Sequence, residues 1–240
     1  MRIGVIGTGV IASAAVRGIV GDGHEIAVSE RSASHARALA EEFDNIRVAD
    51  NQGVVDGSDV IFLGLMAEVA PEVLGALEFR EGQRVITFMA GATLEEADAM
   101  VRPAHAVAIM MPFPNIAKGG SAIMMMGDGE LVREVFGARN QVFELNGQKE
   151  MAAYLCAQAL VSPVTRMISD AADWLGKRVD DRAQAEAFLR RLIASNLMES
   201  ECGPLIEALN TPGGYNQRLR LHMEESGMAD TLHAGLDELE

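Results

Sequence analysis

Aromatic side chains are scarce in this 240-residue chain, at 5% of the residues, so a hydrophobic content of 49% must be packed mainly as Ala, Val, Leu, Ile and 14 Met. Basic residues are also few. Lys and Arg number 20 against 35 Asp and Glu, a net charge of −15 that repels phosphate backbones and anionic lipid, so no nucleic-acid or membrane partner is expected. Cysteine is limited to Cys156 and Cys202, far apart and without CxxC spacing, which excludes a disulfide framework and a thiolate zinc site. His24, His35, His105, His222 and His233 stand in no metal-ligand spacing with one another or with Cys, so no metal is expected. Neither Gly-x-Ser-x-Gly nor a Walker lysine motif occurs, which removes support for hydrolase and phosphoryl-transfer chemistry. No apolar run is read as approaching the roughly 20 residues that cross a bilayer. The first strand signal starts at Arg2 without a basic, cleavable leader, so a soluble cytoplasmic protein is expected.

What is present begins at once. A short apolar run, Ile3 to Ile6, leads into Gly7-Thr8-Gly9-Val10-Ile11-Ala12 and then into a helix-like stretch. This is a GxGxxA pattern: glycine for a tight turn, glycine where backbone approaches a pyrophosphate, and a small residue where helix packs on strand. The amino end of the following helix offers unpaired N–H groups and a positive dipole to phosphates. Glu30 closes the next strand candidate, where an acidic residue reads ribose hydroxyls, and Arg31-Ser32 follow, able to clasp a 2′-phosphate. Glu30 favours NAD and Arg31-Ser32 favour NADP.

Up to residue 148 strand and helix signals alternate, the pattern of a parallel sheet covered on both faces. Strands are predicted over residues 2–6, 25–29, 45–48, 60–65, 84–88, 106–110, 122–126 and 141–145, with helices over 10–20, 34–43, 71–77 and 94–101. Ser32 or Ser34 is the expected cap of the second helix, and Thr93 with Glu95 and Glu96 the start of the fourth. From residue 149 strand signals vanish. Leu160, Val164, Met167, Ile168, Ala171 and Leu175 recur at helical spacing, Pro163 predicts a kink or break, and Gly176 a stop. The expected architecture is α/β: an N-terminal Rossmann-type doubly wound sheet over 1–148, then an all-helical C-terminal domain over 149–240. At that size the helical part needs another surface to lean on.

Thr211-Pro212-Gly213-Gly214-Tyr215-Asn216 interrupts the helical part with a turn whose N–H groups can face an anion. With the N-terminal GxGxxA, this segment resembles the pyrroline-5-carboxylate reductase family. That family joins a dinucleotide domain to a helical domain carrying a Ser/Thr-Pro-Gly-Gly-x-Thr turn. The resemblance runs along nearly the whole chain, through Ala49-Asp50-Asn51, Ser58-Asp59-Val60-Ile61-Phe62-Leu63, and Ile86-Thr87-Phe88-Met89-Ala90-Gly91. It implies an NAD(P)H-dependent reductase of a small cyclic imine, with reduction of 1-pyrroline-5-carboxylate to proline the named expectation. It also implies NADP, with NAD as the alternative, and a homodimer or higher homo-oligomer through the C-terminal helices.

The residue assignments follow. Gly7, Thr8, Gly9, Val10, Ile11, Glu30, Arg31, Ser32, Asn51, Gly64, Leu65, Met66, Ala90 and Gly91 are expected at the cofactor. Gly213, Gly214 and Arg218 are expected at the substrate's anionic end, with Asn216 and Tyr215 as the catalytic pair. Four departures from the family pattern fall on the substrate side. Leu65-Met66-Ala67 replaces Val-Lys-Pro, and Met110-Met111-Pro112-Phe113-Pro114 replaces Met-Pro-Asn-Thr-Pro. Leu160-Val161-Ser162-Pro163-Val164-Thr165 replaces a glycine-rich serine segment, and Asn216 replaces the hydroxyl after Pro-Gly-Gly-x. Two alternatives stay open at this point: a reductase of another imino, oxo or hydroxy acid, or a dinucleotide-binding protein without turnover. No Lys lies between Lys149 and Lys177, where hydroxy-acid relatives carry a catalytic one.

Overall fold

The computed structural model describes residues 1–239, which divide into two compact units, Met1–Met151 and, from Ala152 on, the remaining described residues. In the first unit, β1 (Arg2–Ile6), β2 (Glu25–Ser29), β3 (Ile46–Ala49), β4 (Val60–Leu63), β5 (Arg84–Thr87), β6 (His105–Pro112), β7 (Ala122–Gly127) and β8 (Gln141–Glu144) form one sheet in the order β3-β2-β1-β4-β5-β6-β7-β8. All neighbours are parallel except β6 and β7. That pair runs antiparallel because the nine-residue connection 113–121 is too short for a crossover, which takes a dozen residues or more.

Side chains alternate across this sheet into two cores. Ile3, Val5, Val28, Val60 and Phe62 face α1 (Val10–Ile19), α2 (Ala33–Glu42) and, further along the chain, α6 (Gly129–Phe136). Ile6, Ala27, Ile61, Leu63 and Val85 face α3 (Asn51–Asp56), α4 (Ala70–Leu74) and α5 (Leu94–Met100). Helices α3 and α6 have no counterpart among the predicted helices. Each is short and starts on an aspartate: Asp50 accepts the Gly53 N–H at 2.7 Å and Asp128 accepts the Leu131 N–H at 3.0 Å. Helix α5 begins with a full capping box, Thr93 and Glu96 each accepting the other's backbone N–H. Helix α2, by contrast, starts after Ser32 with no side-chain cap, and Ser34 lies inside it.

The second unit is helical throughout. The run from α7 (Gln148–Ala157) passes a 3-10 turn at Gln158–Leu160 into α8 (Val161–Gly176), followed by α9 (Arg182–Glu199), α10 (Cys202–Ala208), α11 (Tyr215–Glu225) and α12 (Met228–Asp237). The break falls just before Pro163, which then sits in the first turn of α8, where no N–H has an intrahelical partner to lose. Residues Gln148–Gly176 also correct the expectation about apolar runs. Their best window has a mean hydropathy of 1.2, long and apolar enough to cross a membrane by length and composition. Gln158, Ser162 and Thr165 hide this in the sequence, yet from Met151 to Ile168 only Arg166 is charged.

Candidate functional site

The carboxyl ends of β1 and β4, where strand order reverses, form the crevice in which open α/β sheets take their ligands. At its floor Gly7 holds φ +86°, and a Cβ there would stand 2.6 Å from the Gly64 carbonyl oxygen, so only glycine fits. The strand ends are locked together by the Gly64 N–H donating to the Ile6 carbonyl at 2.8 Å. A Cβ on Gly64 would stand 2.8 Å from that of Ala12, so residue 64 must be glycine. Gly9 differs from both. Its φ is −82°, and a Cβ built on it meets nothing within 4 Å. No protein contact and no backbone strain demands glycine here, so the missing side chain serves whatever approaches from outside.

Gly9 is the N-cap of α1 and provides no side-chain cap. Its own N–H turns back onto the Gly7 carbonyl at 2.9 Å, leaving the N–H groups of Val10, Ile11 and Ala12 as the unpaired donors of the first turn. Val10 is 65% exposed, and no acidic residue occupies that turn. These are the features of a phosphate cradle. One turn on, the Ser13 hydroxyl is buried without a hydrogen-bond partner.

Thr8 corrects its expected role. Its side chain is fully buried and its hydroxyl donates to the Ser29 carbonyl at 3.0 Å, so it braces the turn from within and its side chain is closed to a ligand. Ser29 itself was not singled out by the sequence reading. Its hydroxyl oxygen accepts the Gly7 N–H at 2.9 Å. The only hint in the sequence is its place at the end of β2, immediately before Glu30. Glu30 and Arg31 are exposed and Ser32 half-buried, and neither Glu30 nor Arg31 forms an ion pair among the described residues.

The other expected cofactor residues also end strands of this unit. Asn51 opens α3 after β3. Leu65 and Met66 follow β4, Met66 being 69% exposed. Ala90 and Gly91 follow β5 and are exposed, with Gly91 at φ +86°. A second buried hydroxyl outside the sequence expectation shapes that last turn: Thr87 accepts the Met89 N–H at 3.1 Å.

The Thr-Pro-Gly-Gly turn belongs to the second unit. Gly213 holds φ +74° and Gly214 caps α11. The expected anion cradle of these two N–H groups is corrected by their bonding. Gly213 donates to Gln217 Oε1 at 2.8 Å and Gly214 to the Thr211 carbonyl at 2.9 Å. Both are consumed inside the turn. The unpaired donors lie one step on, at the N–H groups of Tyr215, Asn216 and Gln217.

A network outside the sequence expectation braces the same turn. Asn210 Oδ1 accepts from Gln217 Nε2 at 3.1 Å and from Arg220 Nη2 at 2.9 Å, while Arg220 also pairs with Glu224 at 2.7 Å. Arg220 is therefore part of the brace that holds this turn. Tyr215 is 90% exposed, Asn216 and Arg218 are exposed, and Arg218 has no ion pair among the described residues.

A family model described as NADP oxidoreductase, coenzyme F420-dependent, matches residues 2–91, the segment that holds the glycine turn. Pyrroline-5-carboxylate reductase 2 of Macaca fascicularis is 27% identical over 95% of this chain and 78% of its own. The solved pyrroline-5-carboxylate reductase of Streptococcus pyogenes superposes with a TM-score of 0.80 at 25% identity, over 100% of this chain and 96% of its own. The chain is thus similar over nearly its whole length to pyrroline-5-carboxylate reductases, in sequence and in fold. The Plasmodium falciparum pyrroline carboxylate reductase, solved with NADP bound, shares the fold at 14% identity, with a TM-score of 0.78 over 100% of this chain and 95% of its own. Relative to the family pattern, the glycine turn and the Thr-Pro-Gly-Gly turn are intact, and the hydroxyl after the second turn is replaced by the carboxamide of Asn216.

Proposed function

We propose that this chain reduces a small cyclic imine with NADPH, 1-pyrroline-5-carboxylate to proline being the reaction tested first. The observation that carries this reading is the open space at Gly9 over the unpaired amino end of α1, at the switch point of a sheet otherwise closed by tight packing. The residues present fit a dinucleotide. Val10, Ile11 and Ala12 N–H groups hold the pyrophosphate, Glu30 a ribose hydroxyl, and Arg31 with Ser32 the 2′-phosphate that distinguishes NADPH. Asn51, Gly64, Leu65, Met66, Ala90 and Gly91 line the remainder. The cofactor, when bound, supplies the hydride.

The chain's own groups do the rest. Asn216 donates an amide hydrogen bond to the imine nitrogen, and the Tyr215 hydroxyl delivers the proton that turns C=N into an amine as the carbon takes the hydride. With the Gly213 and Gly214 N–H groups committed, those of Tyr215, Asn216 and Gln217 hold the substrate's carboxylate, helped by Arg218. Gly213 and Gly214 contribute by shaping the turn.

The second unit assembles with another copy of itself, which supplies the cover that its exposed Trp174, Phe188, Leu192 and Leu219 lack. That cover also accounts for the apolar run Gln148–Gly176 in a soluble, cytoplasmic enzyme. The test is oxidation of NADPH and of NADH with pyrroline-5-carboxylate, beside a substrate-free control and a fluorescence titration of cofactor binding. Turnover with NADPH preferred supports the reading. Tight cofactor binding without turnover discards proline synthesis and leaves another imine as the substrate.

A further inference from the structure

We propose that Ser29 is a positioning residue for the cofactor, setting both the affinity for NADPH and its preference over NADH by fixing two binding segments to one buried point. The inference rests on the reading of this crevice as an NADPH site. Ser29 ends β2, which pairs in parallel with β1, so the residues after both strands emerge side by side. Its side chain is fully buried.

Three polar contacts close a small ring there. The Gly7 N–H donates to Ser29 Oγ at 2.9 Å, Thr8 Oγ1 donates to the Ser29 carbonyl at 3.0 Å, and the two hydroxyl oxygens lie 3.4 Å apart. The proton assignment is self-consistent. With its oxygen accepting from Gly7, Ser29 can direct its own proton only at Thr8, whose proton is spent on the carbonyl. Every donor in the ring is then used.

The position of this ring makes it more than a packing detail. On one side it holds Gly7, the positive-φ floor of the phosphate turn, whose opposite side lies close against the Gly64 backbone. On the other side the next residues in the chain are Glu30, Arg31 and Ser32, which carry the ribose end. A ligand that spans both segments gains from their fixed spacing, because a preorganised site loses less on binding. NADPH uses the Arg31 side of that span more than NADH does, so its affinity depends more on the anchor.

The experiment is a fluorescence titration of NADPH and NADH against wild type, Ser29→Ala, Ser29→Thr and Thr8→Val, with melting temperatures and steady-state rates beside it. Ser29→Ala is expected to weaken NADPH about tenfold and NADH about threefold, to raise KM for NADPH in step, and to leave kcat at saturating cofactor within about twofold. Ser29→Thr, which keeps the hydroxyl, restores affinity. Thr8→Val, which keeps the volume, reproduces part of the loss should Ser29→Thr prove too bulky to fold. Equal weakening of both cofactors, or a fall in kcat without a change in affinity, overturns the proposal. If wild type binds no NADPH, the functional reading falls with it; if wild type binds and Ser29→Ala binds as well, only the role of Ser29 falls.

Discussion

Between Met1 and Met151 the strands inside the edges formed by β3 and β8 are largely buried, and two separate hydrophobic clusters fill the faces of one sheet. Between Ala152 and Leu239, among the described residues, only Ala172 and Ala185 are buried hydrophobics, while Phe188, Leu197, Met198 and Leu219 stand more than half exposed. The contrast lies in how apolar residues are deployed rather than in how many there are. In the first unit most of them find a facing layer supplied by the same stretch of chain. In the second, Ala172 on α8 and Ala185 on α9 are the buried hydrophobics, and an Arg182–Asp173 pair at 2.6 Å links the two helices. An apolar groove of about 770 Å³ runs between Val164 and Met167 on α8, with Leu160 just ahead of that helix, and Leu232 and Leu236 on α12. The first unit closes its own core, whereas the second leaves this apolar surface uncovered by its own chain.

The largest expected effect sharpens this comparison inside the first unit. Gly7→Ala forces a Cβ against the Gly64 carbonyl at a positive φ, and soluble expression with NADPH binding is expected to be lost altogether. Gly9→Ala meets no protein atom, so its melting temperature should match wild type while NADPH binding weakens about thirtyfold, or ~2 kcal/mol. Unchanged binding in Gly9→Ala would remove the main support for the phosphate cradle.

Next in size is a test of the second unit. The double variant Phe188→Asp/Leu192→Asp should sediment as a monomer and melt about 10 °C lower, because charge on the exposed face of α9 blocks its cover. NADPH titration of that variant should still show binding, since the sheet keeps its own core. A monomer that retains full helix content and melting temperature would break the comparison.

Asn216→Ala should lower kcat about a hundredfold and leave the NADPH dissociation constant unchanged, the pattern of a donor that acts on the reacting substrate alone. A loss confined to cofactor affinity would move Asn216 out of its assigned role.

The smallest effects concern the start of α5. Thr93→Ala removes an N-cap and should cost about 1 kcal/mol by denaturant titration. The Glu96 carboxyl is held below the usual carboxylate range by the Thr93 N–H and then by the Thr93 hydroxyl. A depressed folded-state pKa contributes stability that is complete above the ordinary carboxylate value and fades as pH falls through the lower one. Glu96→Gln should therefore flatten the fall in melting temperature below about pH 4. An acid limb identical to wild type would exclude Glu96 from it.

Much of this was legible in order along the chain. The glycine turn, all eight strands and the Thr93 cap are local patterns, because strand periodicity and capping depend on residues only a few positions apart. The antiparallel turn of β7 was also written in the nine-residue connection, which is too short to cross over. Helices α3 and α6 escaped because they have only six and eight residues, too short for a 3.6-residue period to stand out. The site residues that escaped were Ser29, Thr87, Gln217 and Asn210. Each acts through one or two hydrogen bonds to a backbone or side chain whose position depends on how the segments meet. No spacing rule marks a serine at a strand end as an anchor.

The sequence by itself determined that a dinucleotide-type turn opens a doubly wound sheet and that a helical region with a Thr-Pro-Gly-Gly turn follows. Glycine, proline and apolar periodicity act on the backbone locally and need no partner to be read. Only the tertiary structure decided which polar groups remained free to act. It closed the Thr8 hydroxyl and the Gly213 and Gly214 N–H groups inside the protein and left those of Val10, Ile11, Tyr215 and Asn216 open. The reason is physical: a hydrogen-bond donor serves a ligand only when the fold has not already used it.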